Sequence, residues 1–164
     1  MMQIRKAGIE DFQIINDLAL KTWYDTYDKI LSAEQLKYML DMMYSLTAIT
    51  EQIAVKGHHF LLLSEEDNYL GFASYEVNYL SGVTKLHKLY VLPETQGRGA
   101  GRLLISKIEE AAVRNSNNTV SLNVNRYNSA VNFYLKNGYR KAGEEDINIG
   151  NGYLMEDFIM EKSL

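Results

Sequence analysis

The stretch that most constrains the fold is "LYVLPETQGRGAGRLLISKIEEAA", residues 89–112, in which an apolar segment runs through three glycines into a helical pattern. Gly97, Gly99 and Gly101 lack Cβ atoms where a helix begins, and the first N–H groups of a helix have no partner within it. Arg98 and Arg102 flank this turn with positive charge. Because the helix dipole adds to their attraction, the turn is suited to bind an anion such as a phosphate group.

The spacing of these glycines excludes the two common nucleotide-binding motifs. A dinucleotide fingerprint would need a glycine where Arg102 stands, and the chain has no Gly-x-x-x-x-Gly-Lys-Ser/Thr run. The pattern that fits is Gln/Arg-x-x-Gly-x-Gly/Ala, met by Gln96, Gly99 and Gly101. This run resembles the acetyl-coenzyme A signature of the GCN5-related N-acetyltransferase superfamily.

The composition is that of an ordinary globular chain. Of the 164 residues, 46% are hydrophobic and 23% are charged, with a single proline and no low-complexity run, so one domain spanning residues 1–164 is expected. The N-terminal segment "MMQIRKAGIEDF" has no long apolar core. It therefore predicts neither a signal peptide nor a membrane span, and the cytoplasm is the expected location.

Charge and cysteine content exclude several classes of protein. With 17 basic and 21 acidic residues the net charge is -4, and a chain without a basic excess is not expected to bind nucleic acid. The chain has no cysteine, which excludes a disulfide framework, a thiolate metal site and a cysteine nucleophile. Acyl transfer would pass directly between substrates or through another residue.

Hydrophobic periodicity predicts the element order β-αα-βββ-α-β-α-ββ, an α/β (α+β) chain with a mixed sheet. The segment "MQIRKA" alternates as a strand, a helical stripe follows to about Trp23, and Ser32 is the predicted N-cap of a second helix. Residues 58–92 predict three antiparallel strands with turns at Asp67-Asn68 and Ser81-Gly82. This order is the one that the resemblance implies for the whole chain.

The second half of the chain completes this order. A helix is predicted from Arg98 to about Arg114, and "TVSLNV" is predicted to be a strand. A short helix over "NSAVNFYLKN" ends at Gly138, and two closing strands follow it.

A second block agrees with the resemblance. The segment "LNVNRYNSAVNFYLKNGY" resembles a later family motif in which a strand leads to Asn, Ala, Phe-Tyr and Gly-Phe/Tyr, here Asn128, Ala130, Phe133-Tyr134 and Gly138-Tyr139. The usual family spacing places the asparagine where Tyr127 stands, one residue before Asn128. Asn128 is therefore either a coenzyme ligand or the N-cap of the short helix.

The resemblance implies acetyl-CoA as co-substrate and assigns residues to its parts. The pyrophosphate would lie against the backbone of Gln96, Gly97, Arg98, Gly99, Ala100, Gly101 and Arg102. The pantetheine would pair like a strand with Leu89, Tyr90 and Val91. Tyr134 would donate to the departing thiolate, because a phenol is neutral at pH 7 and carries one donor hydrogen. The alternative for Tyr134 is packing in the core beside Phe133.

Candidates for the base that deprotonates the amine lie on two neighbouring strands. Some members of the superfamily carry a glutamate where Lys85 stands, so this chain lacks the simplest base. His87 is two residues before Leu89, which predicts the same strand face, and some relatives carry a histidine there that relays a proton through water. Glu76 on the preceding strand is a second candidate, and a chain of water molecules to solvent is a third.

The amine acceptor is expected between the first two helices and the strands. Trp23 and Tyr27 are four residues apart and share a helix face, and aromatic rings interleaved with acidic residues suit a cation. Tyr75 and Glu76 are the candidate acceptor residues on the adjoining strand. The alternative is that Trp23 belongs to the core and the acidic residues to the solvated surface.

Together these features predict an acetyl-CoA-dependent N-acetyltransferase that acts by direct transfer to a primary amine. The expected acceptor is a small, cationic, polyamine-like molecule or a peptide, because "TWYDTYDKILSAEQLKYML" resembles a bacterial branch that includes polyamine acetyltransferases. No metal and no membrane are expected, and a homodimer is compatible with the sequence. The alternative is a catalytically silent sensor that binds acetyl-CoA or an amine. Tyr134 favours the enzyme, and Lys85 favours the sensor.

Overall fold

The computed structural model describes residues 1–164, which form seven strands and five α-helices. In chain order these are β1 (Met2–Ala7), α1 (Phe12–Tyr27), α2 (Ala33–Tyr44), α3 (Leu46–Ala54), β2 (His59–Glu65), β3 (Asn68–Leu80), β4 (Val83–Val91), α4 (Ala100–Arg114), β5 (Thr119–Asn125), α5 (Ala130–Lys136), β6 (Arg140–Gly150) and β7 (Tyr153–Ser163). The predicted α/β arrangement is confirmed with one addition, since three helices separate β1 from β2. None of the helices is long and apolar enough to cross a membrane.

Two serine caps define the helices after α1. The Ser32 hydroxyl accepts a hydrogen bond from the Gln35 N–H at 3.1 Å, as its predicted role requires. The Ser45 hydroxyl accepts from the Ala48 N–H at 3.1 Å, so Ser45 ends α2 and starts α3. Helix α3 is absent from the predicted order because its nine residues carry too short an apolar stripe to be distinguished from the strand that follows.

The seven strands form one sheet in the order β1-β2-β3-β4-β5-β7-β6. Its neighbours are antiparallel except β4 and β5, which are parallel and pair only over Val83–Leu86 and Thr119–Leu122. Beyond those pairs β4 keeps only β3 as a partner, and β5 keeps only β7. The two strands therefore separate, and one backbone edge of β4 is left unpaired.

Different helices cover the two faces of the sheet. One face packs against α1, α2 and α3 through 14 buried residues, which include Phe60 and Leu62. The other face packs under α4 and α5 through 17 buried residues, which include Leu61 and Leu63. Since successive side chains of a strand point to opposite faces, the apolar run "FLLL" in β2 contributes to both cores.

A β-bulge in β4 changes the surroundings of one predicted site residue. The pairing of β4 with β3 passes from Lys88 directly to Leu86, so His87 is an extra residue between two pairs. Leu86 and Leu89 both pack in the core under α4, whereas the His87 ring stacks on His58, which follows α3. The prediction that His87 shares a face with Leu89 is therefore wrong, because the bulge breaks the alternation on which it rested.

Candidate active site

The separation of β4 from β5 opens two cavities that meet between the strands. The larger, of about 420 Å³, is lined by residues of β4, β5, β7 and the first three helices. The smaller, of about 380 Å³, lies between α5 and the start of α4. Both are lined by Leu89, Tyr90, Asn128, Ala130 and Tyr134. Molecules in the two cavities would therefore meet at one junction, as a reaction between two bound substrates requires.

The glycine turn forms one wall of the smaller cavity. Gly97 and Gly99 have φ angles of 82° and 81°, and a Cβ at either would meet nothing within 4 Å, so both allow left-handed backbone beside an open surface. The Gly101 Cβ would instead lie 3.1 Å from the Phe133 ring. Backbone N–H groups without a backbone partner are those of Gly97, Gly99, Ala100, Gly101 and Arg102. With the helix dipole, these donors suit an anionic group.

The two arginines of the turn lie in different surroundings. Arg102 lines the smaller cavity. Arg98 instead donates to the Glu65 carboxylate at 2.6 Å, at the end of β2 and outside that cavity. The other residues predicted to bind the cofactor all line the smaller cavity, namely Leu89, Tyr90, Val91, Gln96, Gly97, Gly99, Ala100, Gly101, Arg102, Asn128 and Tyr134. Arg98 is thus the one predicted cofactor residue that does not line the smaller cavity.

Tyr134 lies on α5 at the junction of the two cavities. Its side chain is 6% exposed and packs against Phe133 and Tyr139, yet its hydroxyl is neither hydrogen-bonded within the protein nor sealed from the cavities. Burial, followed by the nearby Tyr27, raises the pKa of Tyr134, so the phenol keeps its proton at pH 7. It can therefore donate a hydrogen bond to an atom at the junction.

Asn128 holds the start of α5. Its side-chain oxygen accepts from the Ala130 N–H at 2.9 Å, and its carbonyl oxygen accepts from the Val131 N–H at 3.2 Å. Of the two roles predicted for Asn128, this geometry favours the helix cap. The residue also lines both cavities, so the cap fixes the position of α5, and with it Tyr134, relative to the junction.

His58, Glu76 and His87 form a connected cluster beside the larger cavity. Nε2 of His87 lies 2.9 Å from Oε2 of Glu76, and Nε2 of His58 lies 3.7 Å from the same oxygen. The two imidazole rings are stacked, with centroids 3.9 Å apart and 13° between their planes. In the tautomer in which the Nε2–H of His87 donates to Glu76, Nδ1 of His87 is the nitrogen with a free lone pair.

The two imidazole rings of this cluster are neutral at pH 7 and poorly oriented to share a metal ion. Burial is the main cause that lowers the pKa of His58 and His87 to about 3, with Lys88 contributing at both, so both rings are neutral at pH 7. Ligand atoms of the three residues lie within 4.8 Å of one another. However, the stacked rings direct their in-plane lone pairs along nearly parallel lines, so one ion could not bond to both without rotation of a ring.

The predicted acceptor residues are placed in different parts of the fold. Trp23 and Tyr27 line the larger cavity but are only 3% and 7% exposed. The Trp23 indole donates to the Tyr44 hydroxyl at 3.0 Å, and the Tyr27 hydroxyl lies 3.0 Å from that of Tyr90, so the polar atoms of both are engaged. Tyr75 lines neither cavity, because it packs in the opposite core under α4.

Five charged residues of the larger cavity lie outside the predicted site: Lys56, Lys85, Lys88, Glu145 and Asp157. Lys88 is 8% exposed and Asp157 is 2% exposed, and Asp157 accepts from the side-chain amide of Asn123 at 3.3 Å. A charged residue inside an apolar strand, as in "KLYVL" and "DFIM", is the signal that could have found two of them. His58 offers no such signal, because it lies in the loop between α3 and β2.

A mixed sheet whose parallel central strands separate beside a glycine-rich helix start places the chain in the class of acyl-CoA N-acyltransferases. A family model described as an acetyltransferase (GNAT) domain matches residues 27–161, and the chain belongs to this GNAT acetyltransferase family.

Two curated relatives match almost the whole chain. The spermidine N(1)-acetyltransferase of Thermoplasma acidophilum is 27% identical over 166 residues, which cover 98% of this chain and 96% of that protein. The uncharacterized N-acetyltransferase YuaI of Bacillus subtilis is 26% identical over 162 residues, covering 95% of this chain and 90% of the relative.

Solved structures share the architecture. The PaiA N-acetyltransferase from Thermoplasma acidophilum, crystallised with coenzyme A, superposes with a TM-score of 0.83 at 27% identity and covers 100% of this chain and 99% of its own. A GCN5-related N-acetyltransferase from Rhodopseudomonas palustris has a TM-score of 0.82 at 22% identity, covering 99% and 95% of the two chains. The second likeness concerns the fold alone.

Proposed function

We propose that this chain, acting as one acetyltransferase domain, binds acetyl-CoA in the smaller cavity and transfers the acetyl group directly to a primary amine in the larger cavity. The observation that carries this proposal is the junction, where five residues line both cavities. The coenzyme A complex of the PaiA relative supports the choice of cofactor. The absence of cysteine from the sequence supports direct transfer, since no thiol is available to carry the acetyl group.

The cofactor is held by backbone groups on both sides of the β4–α4 turn. The pyrophosphate accepts from the free N–H groups at the start of α4, with the Arg102 side chain in the same cavity. The pantetheine amides pair with the unpaired edge of β4 at Leu89–Val91. This arrangement brings the thioester to the junction beside Tyr134.

The acceptor ammonium first loses one proton to solvent, and two further proton transfers accompany acetyl transfer. The neutral amine attacks the thioester carbonyl carbon, and the new C–N bond forms as the C–S bond breaks. The nitrogen becomes strongly acidic as the C–N bond forms, so Nδ1 of His87 can take its proton although burial lowers the His87 pKa to about 3, while Glu76 holds Nε2. The Tyr134 hydroxyl donates a proton to the departing thiolate. This scheme involves no metal.

A cationic acceptor is supported by the acidic side of the larger cavity. Glu145 and Asp157 line that cavity on the side of β6 and β7, and a carboxylate there attracts an ammonium group. The relative from Thermoplasma acidophilum, named spermidine N(1)-acetyltransferase, also supports a cationic acceptor. Trp23 and Tyr27 then serve as an apolar wall of the cavity, since their polar atoms are bonded to other tyrosines.

The test is a thiol-release assay with polyamines, amino acids, aminoglycosides and peptides as acceptors. With a good acceptor, His87→Ala should lower kcat/KM by about 10² to 10⁴ fold, as expected for loss of a general base. His59→Ala is the matched control, because it removes an exposed histidine next to His58 in sequence. It should retain activity. A loss of only a few fold in His87→Ala would assign the proton transfer to Glu76 or to water. Activity on peptide N-termini alone would refute a small acceptor.

A further inference from the structure

A buried lysine in the larger cavity has no role in the reaction proposed above. Lys88 is 8% exposed, and its Nζ donates to the side-chain oxygen of Gln52 at 2.7 Å. The Gln52 amide nitrogen donates in turn to the Met43 carbonyl at 2.9 Å, which fixes the amide with its oxygen towards the lysine. The Lys88 Nζ also lies 5.5 Å from the ring centroids of Tyr44 and Phe60.

The Lys88 ammonium lacks the partner that a buried cation normally has. An ammonium carries three donors, and a single neutral oxygen accepts from this one within the protein. No carboxylate forms a salt bridge with it, and Lys56 adds a second positive charge nearby. Burial is the larger cause, and Lys56 the smaller, that lowers the Lys88 pKa to about 7. A large share of Lys88 is therefore neutral at pH 7, and a bound carboxylate would supply the counter-charge that favours its ammonium form.

The larger cavity therefore has a basic side and an acidic side. Lys56 and Lys88 line it near α3, whereas Glu145 and Asp157 line it near β6 and β7, where one further lysine, Lys85, lies close to both carboxylates. A polyamine carries positive charge only, so it would complement the acidic side and leave the Lys88 donors unused. An acceptor with both ammonium and carboxylate groups would complement both sides of the cavity.

We propose that Lys88, assisted by Lys56, binds a carboxylate of the acceptor, so that the preferred acceptors of this cavity are amino-acid-like molecules rather than plain polyamines. This inference rests on the proposed function, because it concerns the substrate of the same site. The carboxylate would supply the counter-charge that Lys88 lacks and would accept from the donors that Gln52 leaves free.

The experiment compares amines that differ by one carboxylate: lysine with cadaverine, ornithine with putrescine, and γ-aminobutyrate with propylamine. Calorimetry on the enzyme saturated with coenzyme A measures their affinities without turnover. In at least one pair the carboxylate-bearing member should bind about tenfold or more tightly, as expected for a hydrogen-bonded charge. Lys88→Met should abolish that preference. Lys107→Met, on the exposed side of α4 in an ion pair with Glu110, should retain it.

Every other result overturns the inference. No preference in any pair, or a preference that survives in Lys88→Met, would mean that Lys88 binds no carboxylate. A fall in kcat of Lys88→Met alike for both members of a pair would make Lys88 a catalytic base instead. Lys88→Met should fold normally, because methionine suits the Tyr44 and Phe60 surroundings. A large loss of Tm with unchanged acceptor preference would assign Lys88 a structural role.

The two proposals fail in different ways. Rapid acetylation of cadaverine without preference for lysine would support the acetyltransferase proposal and contradict the carboxylate subsite. Tight lysine binding that depends on Lys88, with no acetyl transfer to any amine, would support the carboxylate subsite and contradict the acetyltransferase proposal.

Discussion

At the scale of single residues, the hydroxyl of Tyr134 faces the junction of the two cavities without a hydrogen bond to the protein. Tyr134→Phe keeps the ring against Phe133 and Tyr139, so folding and coenzyme A affinity should be nearly unchanged. Because an interaction made only in the transition state is lost, kcat and kcat/KM should fall together by about 10² fold or more. Steady-state kinetics with a well-used acceptor measures both constants.

Tyr139→Phe is the matched control for Tyr134→Phe. It also deletes a buried tyrosine hydroxyl, one that donates to Glu109 at 3.1 Å, but Tyr139 lines neither cavity. Its kcat should stay near that of the wild type even if its stability falls. Wild-type turnover in Tyr134→Phe would make Tyr134 a packing residue and leave the thiolate to be protonated by solvent.

The histidine cluster predicts how stability depends on pH. Burial, followed by His87 and Lys88, lowers the pKa of His58 from 6.5 to about 3. Between these values the unfolded chain binds the proton and the folded protein does not, so the free energy of unfolding should fall as the pH falls from 6.5 towards 3. His58→Phe keeps a ring against His87 and removes this titration. The free energy of unfolding of the variant should therefore change less steeply with pH than that of the wild type, by up to about 1.4 kcal/mol per pH unit.

Denaturant unfolding between pH 4 and pH 8 measures this difference. His59→Phe places the same new ring at the adjoining exposed position and controls for the addition of a phenylalanine to this segment. Parallel pH profiles for the wild type and His58→Phe would contradict the account of His58.

At the scale of elements, the turn from β4 to α4 is the part whose alteration should affect cofactor binding most selectively. Gly99→Glu places bulk and negative charge beside the free N–H groups, so coenzyme A affinity should fall by about tenfold or more. Replacement of Gly99 also strains the backbone, because its φ is 81°. Gly152→Glu, in the β6–β7 turn with a φ of 80° and equally open surroundings, is the matched control for that strain.

Calorimetric titration of coenzyme A into both variants shows whether a loss of affinity comes from the charge and bulk of the new side chain at the turn or from backbone strain. Gly152→Glu should bind as tightly as the wild type. Unchanged affinity in Gly99→Glu would mean that the pyrophosphate lies elsewhere.

Local patterns account for the elements that could be predicted from the sequence. The glycine turn, the Ser32 cap and the end of α5 each depend on residues close together in the chain, so their signals survive without tertiary information. The bulge at His87 depends on the pairing of β3 with β4, which no local pattern specifies. The ion pair of the Arg98 side chain was not predicted for a similar reason, since its partner Glu65 is distant in sequence.

The candidate acceptor site was less predictable than the cofactor site. The proposed cofactor site, the smaller cavity, is built mostly from one continuous stretch that leads into α4, whereas the larger cavity draws on β4, β5, β7 and three helices. Lys88, Glu145 and Asp157 come together only when β4 and β5 separate and β7 pairs with β5. Tyr75 was predicted as an acceptor residue together with Glu76, but neighbouring residues of a strand face opposite sides of the sheet, and Tyr75 packs in the core under α4.

At the scale of the whole molecule, the central claim is that two cavities hold both substrates at once. The direct test measures thiol-release initial rates while acetyl-CoA and an amine acceptor are varied together. The account predicts turnover with intersecting double-reciprocal lines, because both substrates must be bound before transfer. Parallel lines would indicate an acetylated enzyme intermediate, and coenzyme A binding without acetyl transfer to any amine would indicate a sensor; either result would contradict the account.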